Sequence, residues 1–214
     1  MIKKIFRSHI WKINFVLLIV LMLSIIGNIN AISSVASSNW LGYAVYRDGV
    51  VAGANVNDHA ALMNSRTKNI YPPVLHAVGY GGTVKWDEWF NFEKNNTYLG
   101  IYKPKSATMT STLQNSFISK ARELRGISYN ILDQIVYNSG SATYVRPEHI
   151  SKLRCDGVVE YVYEWYGYRV GGADGKWDIT RNLTANYWEH SGFFITPRKQ
   201  RSGLLQRVTT AYPN

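Results

Sequence analysis

The sequence predicts an α+β domain, and three observations carry that prediction. Strand-length apolar runs punctuated by Asn, Gly and Pro fill the first half of the chain. After Pro104 the apolar residues recur at three- and four-residue steps, the spacing of helices. Strands followed by helices, without alternation and without internal repeats, argue against a doubly wound parallel sheet.

The elements follow in order. Gly42–Tyr46 is a short strand ended by the Arg47-Asp48-Gly49 turn, with Val50–Ala54 as its hairpin partner. His59–Met63, Val74–Tyr80 and Tyr98–Tyr102 are further strands, and Trp86–Phe90 is one helical turn between the last two. Leu113, Phe117, Ile118, Ala121 and Leu124 mark a helix stopped near Gly126. Tyr129–Tyr137 repeats the helical pattern with Ile131, Leu132, Ile135 and Val136, and Pro147 opens a short helical turn. Cys155–Trp165 is a third helix, with Val158, Val159, Val162 and Tyr163 facing inward and its end at Gly167. Beyond Gly171, Tyr187–His190 and Phe193–Thr196 read as final strands.

The chain has 214 residues, 24 Lys+Arg against 14 Asp+Glu, and a formal net charge of +10. At 46% hydrophobic residues it is too apolar for a disordered chain, and the length suits one domain with a real core. Residues 1–12 hold Lys3, Lys4, Arg7 and Lys12 with no acid, and an apolar run follows from Ile13 to Ile26. This is the pattern of a secretory signal peptide over 1–36, cleaved after Ser34-Val35-Ala36 or, alternatively, after Ala31. The apolar run is shorter than the roughly 20 residues that span a bilayer as a helix, and retention as an uncleaved anchor is the alternative. The domain is then 37–214, secreted or held at the cell envelope.

Without the leader the balance is +6, scattered except at Arg198-Lys199-Gln200-Arg201. That scatter speaks against a nucleic-acid platform, which clusters Lys and Arg among exposed aromatics. It suits an anionic envelope partner.

Cys155 is the only cysteine, which excludes an internal disulfide framework and any multi-cysteine metal centre. It falls where a polar, Gly-containing segment enters an amphipathic helix. There the unpaired amides and the dipole favour a thiolate, and the same amides suit an oxyanion. The alternative is a small buried apolar residue, the commonest fate of a free cysteine. Export favours the nucleophile, because an idle thiol outside the cell risks oxidation and mispairing.

A nucleophilic cysteine needs a base and a group that orients it. His59 opens one strand and His76 lies inside the next, so adjacent strands would set His76 against His59 and fix its tautomer. His149 follows Pro147 on a connecting turn, and His190 stands beside Glu189 as a surface or packing residue.

The order of these pieces resembles the circularly permuted NlpC-type papain-like enzymes, the YaeF/YiiX group. The similarity rests on Gly42-Tyr43-Ala44-Val45, Asp58-His59-Ala60-Ala61-Leu62, Val74-Leu75-His76-Ala77 and Asp87-Glu88-Trp89-Phe90. It continues through Ile101-Tyr102-Lys103-Pro104, Gly126-Ile127-Ser128-Tyr129 and Arg154-Cys155-Asp156-Gly157-Val158-Val159, in one order over residues 40–170. The resemblance implies a permuted papain-like fold, with an antiparallel sheet or partial barrel from the first half packed on helices from the second. It implies Cys155 as nucleophile, His59 as general base and acid, and Tyr129 near the oxyanion. His76 takes an orienting position often held by Glu, and Asp156 stands where Ser is usual, a negative charge that raises the thiol pKa unless Arg154 offsets it. Asp58, Arg154 and Asp156 flank the pair as candidate substrate contacts.

With export, the expectation is a secreted cysteine peptidase or amidase acting on peptidoglycan peptide, with no cofactor and no metal. Lipid acyl hydrolysis or transfer on the same fold is the alternative. The rival from another class is a non-catalytic envelope-binding module, with Trp86, Trp89, Trp165, Trp177 and Trp188 available to stack on sugars. Asp174, Asp178 and Glu189 lack the tight ligand spacing of a cation site.

Overall fold

A computed structural model of the chain describes residues 39–50, 57–137, 145–171 and 194–214. The expected signal peptide, residues 51–54 of the expected return strand, the expected Tyr187–His190 strand, His190, Trp177, Trp188 and the Asp174, Asp178 and Glu189 set lie outside the described residues. The observed fold is α+β, built on an antiparallel sheet.

Six strands form that sheet in the order β4-β3-β2-β1-β5-β9, each neighbour antiparallel. They are β1 (Ala44–Val50), β2 (Asn57–Met63), β3 (Val74–Ala77), β4 (Val84–Asp87), β5 (Tyr98–Pro104) and β9 (Leu205–Thr209). Helix α1 (Trp89–Glu93) follows β4, and α2 (Ser111–Glu123) follows β5 with Thr110 accepting the Leu113 amide as its N-cap. A second sheet, β6-β8-β7, joins β6 (Ser128–Tyr129) parallel and β7 (Ile135–Tyr137) antiparallel to β8 (Ile150–Leu153). Helix α3 (Cys155–Trp165) follows β8 with only its N-cap, Arg154, between them, and a short turn of helix, α4, covers Pro197–Lys199.

Period-two alternation gives the main sheet two apolar faces. Ala44, Tyr46, Ala60, Leu62, Leu75 and Ala77 pack toward Phe117, Ile118, Val158, Val159 and Val162 of α2 and α3. Val45, Ala61, Met63, Val74 and Ile101 pack on Trp89 and Phe92 of α1. Helix α3 is buried on every side through Glu164, not on one apolar stripe. Its acids Asp156, Glu160 and Glu164 recur every four residues and each is answered internally. Arg154 pairs with the first, Gln134 and Gln200 donate to the second, and the Val170 and Gly171 amides donate to the third.

Four expectations are corrected. Tyr129–Tyr137 is not a helix: its ends pair with β8, and Asn130 bonds across the turn to the Asp133 carbonyl at 3.0 Å. Short apolar runs read alike as helix or strand until a partner strand claims them. The helical turn near Trp86 begins instead at Trp89, because residues 84–87 are claimed by β3. Strand β1 runs through the Arg47-Asp48-Gly49 turn to Val50, accommodated by an irregularity in register. Phe194–Thr196 forms no strand, and Leu205–Thr209 closes the sheet against β5.

Candidate active site

Strand β2 sets His59 and β3 sets His76 on the face that meets Phe92, whose ring centroid lies 5.7 Å from each imidazole. His59 Nε2 stands 2.7 Å from His76 Nδ1, and His76 Nε2 stands 3.4 Å from Asp87 Oδ2. Asp87 is anchored in turn by Asn91 Nδ2 at 2.7 Å, the Glu88 amide at 2.9 Å and Lys85 Nζ at 3.0 Å. Burial pushes Asp87 upward, but these hydrogen bonds outweigh it and hold the carboxyl well below the usual carboxylate range. Asp87 is the member of this row that the sequence reading passed over. Its signal was present, since β4 runs antiparallel to β3 and His76 pairs with Lys85, two residues before Asp87.

The carboxylate fixes the protons along the row. An ionised Asp87 accepts from His76 Nε2–H, which leaves His76 Nδ1 bare to accept from His59 Nε2–H. His59 Nδ1 is then the bare acceptor, and it is buried without a hydrogen-bond partner among the described residues. Burial first, then the neighbouring His76 and the Arg47 and Lys94 cations, push the His59 pKa well below its ordinary value. Burial likewise lowers His76 against the pull of Asp87. Both rings are neutral near pH 7.

Cys155 is the first residue of α3 and is 0% exposed. Its sulfur receives the backbone N–H groups of Ala60 and Asp156. The Ala60 amide is available because of the ladder: Met63 N–H reaches Tyr43 O on the β1 side and Asn64 N–H reaches Pro73 O on the β3 side. Amides alternate along a strand, so Ala60 points toward β3, past the last recorded β2–β3 pair at Leu62 and Leu75. The sulfur thus sits against the residue after His59, with no hydrogen bond to His59 Nδ1 in this closed arrangement.

The expected lowering of the thiol pKa is corrected. Burial first and the Asp156 carboxylate second push Cys155 up to about 12, outweighing the two amides and Arg154. At rest the thiol is neutral and so is the His59 imidazole, whose ring meets Phe92 of the other core cluster while Cys155 packs in the α2–α3 cluster.

Tyr129, aligned with Leu153 across β6 and β8, is buried, and its hydroxyl has no partner among the described residues. Burial, and then the Cys155 thiolate charge, raise its pKa, so the hydroxyl keeps its proton.

Asp58, Arg154 and Asp156, the expected substrate contacts, are all three buried in internal pairs. Arg154 grips Asp156 with two bonds of 2.7 and 2.9 Å and also donates to the carbonyls of Leu132 and Ile195 at 3.2 and 2.6 Å. Asp58, at φ 78, meets Arg201 at 2.5 Å and Arg198 at 3.5 Å. Among the described residues no group of three or more His, Cys, Asp or Glu side chains is placed to hold a metal ion. A cleft of about 710 Å³ lined by Arg125, Ser128, Glu148 and Ser151 opens at the far end of β6 and β8 from Cys155.

Comparison with family models, with curated proteins and with solved structures finds no match for this chain.

Proposed function

We propose that this chain is a secreted cysteine hydrolase of the permuted papain-like, NlpC-type kind, cleaving an amide bond in cell-wall peptide. The observation that carries the reading is His59 Nδ1, buried and unpartnered among the described residues and held in its basic tautomer by His76 and Asp87, on the strand whose next amide, that of Ala60, meets the Cys155 sulfur. Because the thiol and imidazole are both neutral at rest, the proton passes from Sγ to His59 Nδ1 as the sulfur attacks the carbonyl carbon. The C–S bond forms, and the oxyanion is met by the Cys155 amide and the Tyr129 hydroxyl. The imidazolium then protonates the leaving amine, and water, deprotonated by His59, releases the acid from the acyl-enzyme.

General-base catalysis contributes roughly 10²–10⁴-fold and each oxyanion donor about 10²–10³-fold. The test is turnover of purified peptidoglycan stem peptides by the wild type and by Cys155→Ala. Loss of amine release with an unchanged fold supports the reading, and near-wild-type release by the variant overturns it.

The described tryptophans favour the hydrolase over a sugar-stacking module. Trp89 is buried, while Trp86 and Trp165 pack on the core beneath Arg125 and Lys120, at 3.6 and 3.8 Å from the ring centroids.

A further inference from the structure

Several long-range polar bonds of residues 195–201 end on residues next to members of the candidate site. Ile195 O accepts from Arg154, which precedes Cys155. Gln200 Nε2 donates to Asp156 O, which follows Cys155, and to Glu160 one turn later. Arg198 and Arg201 both reach Asp58, which precedes His59, and α4 packs against β2. Two more ties reach the sheet: the Tyr46 hydroxyl donates to Gln200 Oε1 at 3.0 Å, and Arg201 also bonds Tyr102. The two groups this segment flanks, Cys155 and His59, are 0% and 2% exposed, so substrate has no path to the thiol in this arrangement.

The outer side of the same segment has a different character. Phe194 is 60% exposed, and Lys199 donates to its carbonyl at 2.7 Å while lying 5.7 Å from its ring. Leu132 is 61% exposed, and its carbonyl shares the Arg154 guanidinium with that of Ile195. The Arg198 side chain is 54% exposed and holds Asp58 only at 3.5 Å. Exposed apolar side chains beside Lys and Arg are what an anionic bilayer surface takes up. Asp58 is the sole acid pairing with the two arginines among the described residues, so lipid phosphates compete with one carboxylate for them.

We infer that residues 194–201 form a latch, held across the candidate site by Asp58 and released when Phe194, Lys199, Arg198 and Arg201 engage an anionic lipid surface. This regulation rests on the hydrolase reading only for its purpose, not for its test. Release withdraws Gln200 and Ile195 from the start of α3, admits water to Cys155 and restores the reactivity that burial suppresses.

The chain has one cysteine, so alkylation by iodoacetamide, followed by mass, reports the latch without any turnover. The full-length protein is measured with phosphatidylglycerol vesicles and with phosphatidylcholine vesicles. The alkylation rate is expected to be about 10-fold higher with phosphatidylglycerol, since each basic side chain at an anionic surface adds roughly five-fold to binding. In Phe194→Ser/Lys199→Gln the phosphatidylglycerol-to-phosphatidylcholine ratio is expected to fall below about two-fold. Arg198→Gln, a half-exposed change that leaves Arg201 on Asp58, is expected to raise the rate without vesicles. Equal rates on the two lipids, or an undiminished ratio in the Phe194/Lys199 variant, overturn the inference, as does an Arg198→Gln rate no faster than wild type. A chain that answers to phosphatidylglycerol yet cleaves no amide overturns the hydrolase reading and leaves the latch standing.

Discussion

The Nε2 of His59 and the Nδ1 of His76 face one another at 2.7 Å, close enough that one of them must carry a proton and the other must not. Which one does is decided 3.4 Å further on, where Asp87 claims the proton of His76 Nε2.

Asp87→Asn removes that decision while keeping the shape. The amide has a donor to offer, so His76 is free to reverse and His59 Nδ1 no longer has to be bare. Turnover of stem peptide is expected to fall by at least about 10-fold through kcat, with the fold retained, as happens when the tautomer-fixing acid of a serine triad is neutralised. A wild-type kcat in Asp87→Asn removes Asp87 from the row.

The buried Arg154–Asp156 pair predicts a large loss on breaking it. Arg154→Met leaves Asp156, 0% exposed, as an uncompensated charge and frees the Leu132 and Ile195 carbonyls. Urea unfolding is expected to show a loss of about 3–5 kcal/mol. A change below 1 kcal/mol would mean that water or another cation replaces the guanidinium.

Gly157 predicts a clash that no rotamer relieves. A Cβ there meets the Gln134 carbonyl oxygen at 2.3 Å, and that same carbonyl accepts the Arg154 amide at 2.9 Å. Gly157→Ala is expected to destabilise by about 1–3 kcal/mol despite the higher helix propensity of alanine. A stabilised Gly157→Ala in thermal melts overturns the close approach of α3 to Gln134.

Stability is expected to peak between mildly acidic and mildly alkaline pH. His59 and His76 fold with pKa values below the ordinary 6.5, so the unfolded chain binds their protons first and stability falls as pH drops below that value. Cys155 folds with its pKa raised from 9.0 to about 12, so its contribution is complete below 9.0 and is lost as pH rises toward 12. Asp87 is depressed and adds a further loss only as pH falls below its ordinary 3.8. Urea midpoints at pH 5, 7.5 and 10 check this: a midpoint at pH 5 or 10 at or above that at pH 7.5 contradicts the burial of these groups. In Cys155→Ala the alkaline loss should shrink.

Much of the fold was legible because it follows from short-range patterns. The Cys155–Trp165 helix, the α2 periodicity and the strands carrying His59 and His76 all follow from residue spacing, because amphipathic alternation is local. The segment 128–137 misled because Ile131, Leu132, Ile135 and Val136 satisfy a helix spacing, while pairing to β8 depends on residues some twenty positions away.

The sequence by itself determined that one cysteine begins a helix, that two histidines lie on successive strands, and that an α+β core surrounds them. Only the tertiary structure decided the proton state and the neighbours of those groups. Asp87 joins the row because β4 returns antiparallel to β3, the thiol stays protonated because α3 is buried on all sides, and Arg154, Asp156 and Asp58 are internal ties. Spacing along the chain sets which face a side chain takes. Desolvation and charge pairing depend on what the rest of the chain places against it.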